Sequence, residues 1–189
     1  MITLRRAIAR SLPVTVVLLP RLSVRSAEAW LRQQGAHIRV DTEDRSLRAC
    51  LVCRFGNGLI FLDGADPDDE QRFSLAHELA HFLVDYLAPR RVAASRGGDA
   101  ILEVLDGARP ARTDERVIGV LSNVAVHPHI HLMSRDDLGR LGGIDHAESL
   151  ADALANELLA PWDTVSHAVR ELSINGHRAA IASLLVERF

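Results

Sequence analysis

Two histidines and a glutamate lie in the middle of a largely apolar segment, "QRFSLAHELAHFLVDY" (residues 71–86). If this segment is helical, His77 and His81 are four residues apart on one face, so both imidazoles can bind the same zinc ion. Glu78 follows the first histidine and would lie beside the metal. A carboxylate there can take a proton from a zinc-bound water and pass it to a leaving amine, which is the chemistry of peptide hydrolysis.

The other polar residues of the segment support a buried helix with a single polar stripe. The polar positions recur at spacings of three and four: Ser74, His77, Glu78, His81 and Asp85. Nearly all the remaining positions are apolar, so the helix should be buried and its stripe should face an internal cleft. Burying such groups without partners costs several kcal/mol. A metal ion bound in the cleft would remove that cost.

A catalytic zinc of this type needs a third protein ligand and an open position, and three downstream glutamates are candidates. Glu148 is favoured because Asp152 follows it on the same helix face, where it could accept the second N–H of a ligand histidine. Glu157 is nine residues beyond Glu148 and half a turn out of phase. Glu103 has no acidic residue four positions later.

A second group of histidines lies in "HPHIH", where His127, His129 and His131 would share one face of a strand. One of them could donate a hydrogen bond to the developing oxyanion, and His131 and His129 are favoured because they lie farther from Pro128. Alternatively, the strand forms another metal site, or it is a solvated edge strand without a role. Tyr86 is a rival for the oxyanion role, but it leaves the polar stripe.

These residues must be positioned by the surrounding helices and strands. The order of those elements along the sequence predicts an α+β domain with a small antiparallel sheet packed against several helices. A hairpin is predicted in "RACLVCRFGNGLIFLD", with Gly56-Asn57-Gly58 in its turn. The histidine helix follows over 65–87, with Asp66 as its cap and Pro67 in its first turn. Further extended segments are predicted at 12–19, 37–43 and 125–133. Further helices are predicted at 26–35, 99–107, 113–124, 146–161, 163–172 and 177–189.

Length, charge and composition argue against a nucleic-acid-binding, secreted or membrane protein. The chain has 189 residues and a formal net charge of −3, so a single domain without a basic surface for nucleic acid is expected. Cys50 and Cys53 should face opposite sides of a strand as ordinary half-buried thiols, which suits a reducing cytoplasm. The apolar run near residue 15 is flanked by prolines and followed by arginines, so we expect neither a signal peptide nor a membrane span.

The two helical motifs, in this order, resemble the gluzincin zinc metallopeptidases and, more closely, the ImmA/IrrE family of metallo-endopeptidases. The stretches "RFSLAHELAHFLVD" and "ESLADALANELLAP" carry the resemblance, together with the hairpin directly before the first of them. It covers roughly 25–172 and implies a zincin-like fold with the HExxH motif on a buried active-site helix. It also implies one Zn²⁺ per chain, held by His77, His81 and Glu148, with Glu78 as general base.

The resemblance further implies the substrate: a helix-turn-helix transcriptional repressor, whose cleavage would derepress mobile-element or stress-response genes. The gap between His81 and Glu148 is longer than is usual in that family, which predicts an insertion at about 94–145 within a single domain, 1–189.

Two other functions remain as alternatives. The chain could be a catalytically weak or inactive zincin-fold module that binds and regulates a repressor or a toxin–antitoxin-type partner. The intact Glu78 argues against that, because a pure binding module has no need of the base. A direct DNA-binding regulator is disfavoured by the slight negative charge and by the lack of a clear recognition helix.

Overall fold

The computed structural model describes residues 2–40, 42–122, 124, 129–135 and 146–171. Over these ranges the fold is α+β, as the sequence predicts, with a four-stranded sheet packed against helices. The strands are β1 (Val14–Leu19), β2 (Leu47–Arg54), β3 (Asn57–Asp63) and β4 (His129–Ser134). The helices are α1 (Ile2–Ser11), α2 (Val24–Gln33), α3 (Asp68–His81), α4 (Ala88–Gly97), α5 (Ala100–Leu105), α6 (Thr113–Leu121), α7 (His146–Leu159) and α8 (Trp162–Glu171).

The sheet has the order β1-β3-β2-β4 and is mixed rather than wholly antiparallel. β2 pairs antiparallel with both β3 and β4, as expected for a hairpin and an added edge strand. β1 pairs parallel with β3. Parallel neighbours need a long crossover connection, and the chain between these two strands contains α2 and β2. The sequence pattern locates β1 but does not give its direction in the sheet.

Alternate residues of β2 supply two cores, one on each face of the sheet. Cys53 and Leu51 pack with Leu75 and Leu79 of α3. On the other face, Cys50 packs with residues of α2. The two cysteines are free and lie on opposite faces, as predicted, and both are buried. Burial raises the pKa of both thiols, so they stay protonated and unreactive.

The β2–β3 hairpin is confirmed, but its turn is one residue earlier than expected. Phe55 and Gly56 form the turn with φ angles of +53° and +77°, so Asn57 and Gly58 already belong to β3. A two-residue turn with positive φ at both central positions matches the twist of the strands. Gly58 has a different role, because a Cβ atom at this position would lie 2.8 Å from Cδ2 of the buried Phe82. The glycine thus lets the residue after His81 pack directly against the sheet.

Two local predictions are wrong. Residues 37–40 form no strand, since the Val40 N–H donates to the Glu28 side chain on α2 rather than to a neighbouring strand. Asp66 does not cap α3: Pro67 occupies the N-cap position without a side-chain bond, and Asp66 pairs with Arg135 instead.

The helix that begins at Asp68 also changes character after its second histidine. Phe82–Leu87 form a π-helical turn, which passes directly into α4. Neither the π-helical turn nor α4 was predicted. The predicted helix at 177–189 and the positions 125–128 lie outside the described residues. Within the described ranges, every helix is too short or too polar to span a bilayer. The predicted insertion at about 94–145 stays a prediction, although it includes β4, a strand of the sheet.

Candidate metal centre

The motif helix α3 is buried, as expected for a helix that is apolar nearly all round. His77, Glu78 and His81 are 4%, 0% and 2% exposed. The sheet covers one side of α3 through Leu75 and Leu79, and α7 packs against another side. The polar stripe therefore lies inside the protein.

Two imidazoles and one carboxylate converge at this stripe. The Nε2 atoms of His77 and His81 lie 3.1 Å apart. The carboxylate of Glu148, on α7, brings one oxygen to 3.4 Å from Nε2 of His77 and the other to 3.6 Å from Nε2 of His81. α7 can approach α3 closely because the buried residues of α7 are the small Ala151 and Ala155.

Each of these two histidines has a carboxylate at its other ring nitrogen. His77 Nδ1 lies 2.9 Å from Asp152, one turn after Glu148. His81 Nδ1 lies 2.6 Å from Asp85, in the π-helical turn. Asp152 was expected in this place, whereas Asp85 was only assigned to the polar stripe. Its spacing of four residues from His81 is the signal in the sequence that could have identified it as a partner.

The tautomer that these two hydrogen bonds favour fits the binding of a metal ion. A neutral imidazole that donates its Nδ1 proton to a carboxylate has its lone pair on Nε2. The lone pairs of His77 and His81 therefore face each other at 3.1 Å and also face the negative Glu148. A cation at this point would turn that repulsion into bonding. Two histidines oriented by carboxylates, with one glutamate, form a donor set typical of catalytic zinc.

The two rival glutamates lie elsewhere. The exposed Glu157 accepts the backbone N–H of Trp162 at the start of α8. Glu103 pairs with Arg109. Among the described residues, the side chains that could together hold a metal are His77, His81, His131 and Glu148. The assignment of Glu148 as third ligand stays a prediction, supported by this placement.

His131 lies at the centre of the site. Its Nδ1 is 2.9 and 3.1 Å from the two carboxylate oxygens of Glu78, and its Nε2 is 3.0 Å from Glu148. Its ring stacks on His81 with the centroids 3.7 Å apart. Burial lowers the pKa of His131, but the hydrogen bond to Glu78 and the charges of both glutamates outweigh burial and raise it to about 9. A metal cation bound by Glu148 would oppose that rise.

An ion-pair cluster holds the strand that carries His131. Arg135, directly after β4, pairs with the buried Asp63 at the end of β3 and with Asp66 before α3. Asp63 also accepts the backbone N–H groups of Arg21 and Ala65. β4 is thereby fixed to the start of α3, in addition to its pairing with β2.

The other two residues considered for the oxyanion role, His129 and Tyr86, lie outside the metal-binding group. His129 shares the face of His131, and its buried Nε2 has no hydrogen-bond partner among the described residues. Burial lowers the pKa of His129, which favours the neutral ring. The hydroxyl of Tyr86 accepts the N–H of Gly56, so this side chain is part of the core beneath the hairpin. His127 lies outside the described residues, and an oxyanion role for His131 or His129 stays a prediction.

The comparison with known families agrees with this geometry. Residues 32–100 match the family described as Peptidase_M78, the IrrE N-terminal-like domain. This stretch is similar to the IrrE N-terminal-like domain. The match covers β2, β3 and α3, with His77, Glu78 and His81, and ends before Glu148. The expected resemblance to the ImmA/IrrE family is thus confirmed over these residues, and the family is one of metallopeptidases. No curated protein and no solved structure matches the chain.

We predict that the protein binds one Zn²⁺ per chain and that Glu148→Ala loses it, because the substitution removes the one carboxylate donor of the group. Glu157→Ala is the matched control from the same helix and should keep the metal, since Glu157 only contacts Trp162. Elemental analysis of the purified variants measures both. Metal retained by Glu148→Ala and lost by Glu157→Ala would refute the ligand assignment, and Glu103→Ala tests the remaining candidate.

We also predict that Asp152→Ala and Asp85→Ala each weaken zinc affinity by roughly tenfold or more, because each removes the carboxylate that orients a ligand ring. Competition with a chelator measures the affinity, and circular dichroism checks the fold. Asp69→Ala, at an exposed position of α3, is the control and should leave the affinity unchanged. Unchanged affinity in both test variants would show that these carboxylates orient no ligand.

Proposed function

We propose that the protein is a zinc-dependent endopeptidase. The observation that carries the proposal is the convergence of two carboxylate-oriented imidazoles and Glu148, with the carboxylate of Glu78 next to them. Zinc bound there would polarise a substrate carbonyl and lower the pKa of a bound water. His77, His81 and Glu148 would bind and position the ion, while Asp152 and Asp85 fix the orientation of the two rings.

Glu78 is the residue proposed to move protons. It is fully buried and lies between the two histidines in sequence, yet it does not belong to the metal-binding group. Its carboxylate can hold a proton taken from the attacking water and release it to the amine of the broken peptide bond. This role requires a carboxylate rather than a neutral side chain of the same size.

A cavity beside the metal group could accommodate part of a polypeptide substrate. Its volume is about 1000 Å³, and Asp85 and His129 line the part nearest the histidines. Most of the remaining lining is apolar and comes from the π-helical turn, α5, α6 and α7; it includes Val84, Ile101, Val104, Leu105, Val120 and Leu150. Such a surface favours the apolar side chains of a substrate.

The proposed substrate is a helix-turn-helix repressor in the cytoplasm, cleaved to derepress mobile-element or stress-response genes. The support for this substrate is the family resemblance together with the match to the IrrE N-terminal-like domain. The rival is a module of the same fold that binds such a partner without cutting it. The two functions differ in whether Glu78 is needed.

We predict that Glu78→Gln reduces peptide cleavage by about a hundredfold or more, the scale of losing a general base. The amide keeps the size of the side chain, so metal content, fold and partner binding should stay the same. The assay mixes the protein with a helix-turn-helix protein encoded beside it and follows the products by mass spectrometry. Glu157→Gln, on the exposed part of α7, is the control and should cleave like wild type.

The same assay can also contradict the endopeptidase proposal. If wild type binds the partner but never cuts it, and a chelator changes nothing, the endopeptidase proposal fails and the binding module stands.

A further inference from the structure

Three histidines of the site share one arrangement, although only two belong to the HExxH motif. In each of them Nδ1 faces a carboxylate and Nε2 faces Glu148. The Nδ1 pairs are His77 with Asp152 at 2.9 Å, His81 with Asp85 at 2.6 Å and His131 with Glu78 at 2.9 Å. The distances from Nε2 to Glu148 are 3.4 Å for His77, 3.6 Å for His81 and 3.0 Å for His131. His131 is thus oriented in the way that ligand histidines are oriented.

These distances also suit a single ion with four protein ligands. Zn–N and Zn–O bonds of about 2.0–2.2 Å in a tetrahedral site place neighbouring ligand atoms roughly 3.3–3.6 Å apart. The separations of 3.1, 3.4, 3.6 and 3.0 Å lie close to that range, with Oε2 of Glu148 nearest His77 and Oε1 nearest His81 and His131. All four residues offer a ligand atom within 4.8 Å of the others. The ring of His131 would have to turn out of its stack on His81 to complete the tetrahedron.

We propose that His131 is a fourth protein ligand that closes the metal centre and keeps it latent. The proposal rests on the zinc site proposed above and adds to it a state in which no coordination position is open. Zinc with four protein ligands is typical of closed, structural sites, whereas a catalytic zinc keeps one position for water or substrate. His131 fills the position that the reaction would need.

In the closed arrangement, His131 also contacts Glu78, the proposed general base. Both carboxylate oxygens of Glu78 lie within 3.1 Å of His131 Nδ1, and Glu78 is 0% exposed. A water molecule therefore cannot reach Glu78 while His131 stays in place. One side chain blocks both the open metal position and the proton acceptor.

Opening requires only that His131 leave its contacts with Glu78 and Glu148, and His131 is the most exposed of the three histidines. Its side chain is 17% exposed, against 5% for His77 and 2% for His81. β4 itself is fixed by its pairing with β2 and by Arg135. A rotation of the His131 side chain therefore opens the site without moving the strand.

Co²⁺ substitution tests the proposal, because the visible absorption of Co²⁺ depends on the number and type of its ligands. Wild type, His131→Ala and the control Met133→Ala are each titrated with Co²⁺ and then with acetohydroxamate, a small ligand for open metal positions. We expect acetohydroxamate to leave the wild-type spectrum unchanged and to change that of His131→Ala. We also expect His131→Ala to weaken Co²⁺ affinity by roughly tenfold or more.

The control and a second variant separate ligand loss from damage to the fold. Met133 lies on the same face of β4 and packs in the core, so its truncation disturbs the strand without touching the metal group. Met133→Ala should keep the wild-type spectrum and affinity. His131→Phe keeps a ring that can stack on His81 but has no ligand nitrogen, and it should behave like His131→Ala.

Hydrolysis of an unfolded protein such as casein gives a second readout. Removal of a closing ligand frees Glu78, so basal cleavage by His131→Ala should rise severalfold. If His131 instead stabilised the oxyanion, cleavage would fall and Co²⁺ affinity would not change, and that result overturns the proposal. A wild-type Co²⁺ spectrum that responds to acetohydroxamate overturns it as well, while leaving the zinc site intact. If wild type binds no Co²⁺, both the closed centre and the proposed function fail.

Discussion

Two hydrogen bonds from ring nitrogens to carboxylates determine what this centre can do. Asp152 and Asp85 hold the Nδ1 protons of His77 and His81, so the Nε2 lone pairs point at the same small volume as Glu148. Without a cation, this arrangement brings the lone pairs of two buried histidines and a half-exposed carboxylate together. The rest of the structure maintains the arrangement, and a metal ion accounts for it.

The fold supports this arrangement from both sides. The sheet covers α3 through its apolar side chains, and Gly58 leaves room for Phe82 to anchor the helix directly after His81. On the opposite side, the small residues of α7 bring Glu148 and Asp152 within reach of the histidines. Because α3 lies between these two layers, a change that moves either layer would separate the ligands. This explains why so many small or apolar residues surround so few functional ones.

Local patterns predicted the parts of the site that lie within single elements. The spacing of His77 and His81 and the pairing of Glu148 with Asp152 both follow from helical periodicity, and a glycine-rich turn between two strand-like runs predicted the hairpin. Contacts between distant elements could not be predicted: the parallel pairing of β1 with β3, and the placement of His131 against Glu78. The same limit applies to 37–43, whose strand-like pattern is overridden by the bond of Val40 to Glu28.

The most direct test of the account is anomalous diffraction at the zinc absorption edge from crystals of the wild-type protein grown without a chelator. The account predicts one peak per chain, about 2.0–2.2 Å from Nε2 of His77, from Nε2 of His81 and from a carboxylate oxygen of Glu148. A protein with no peak between α3 and α7, or with zinc bound only by other residues, would contradict it.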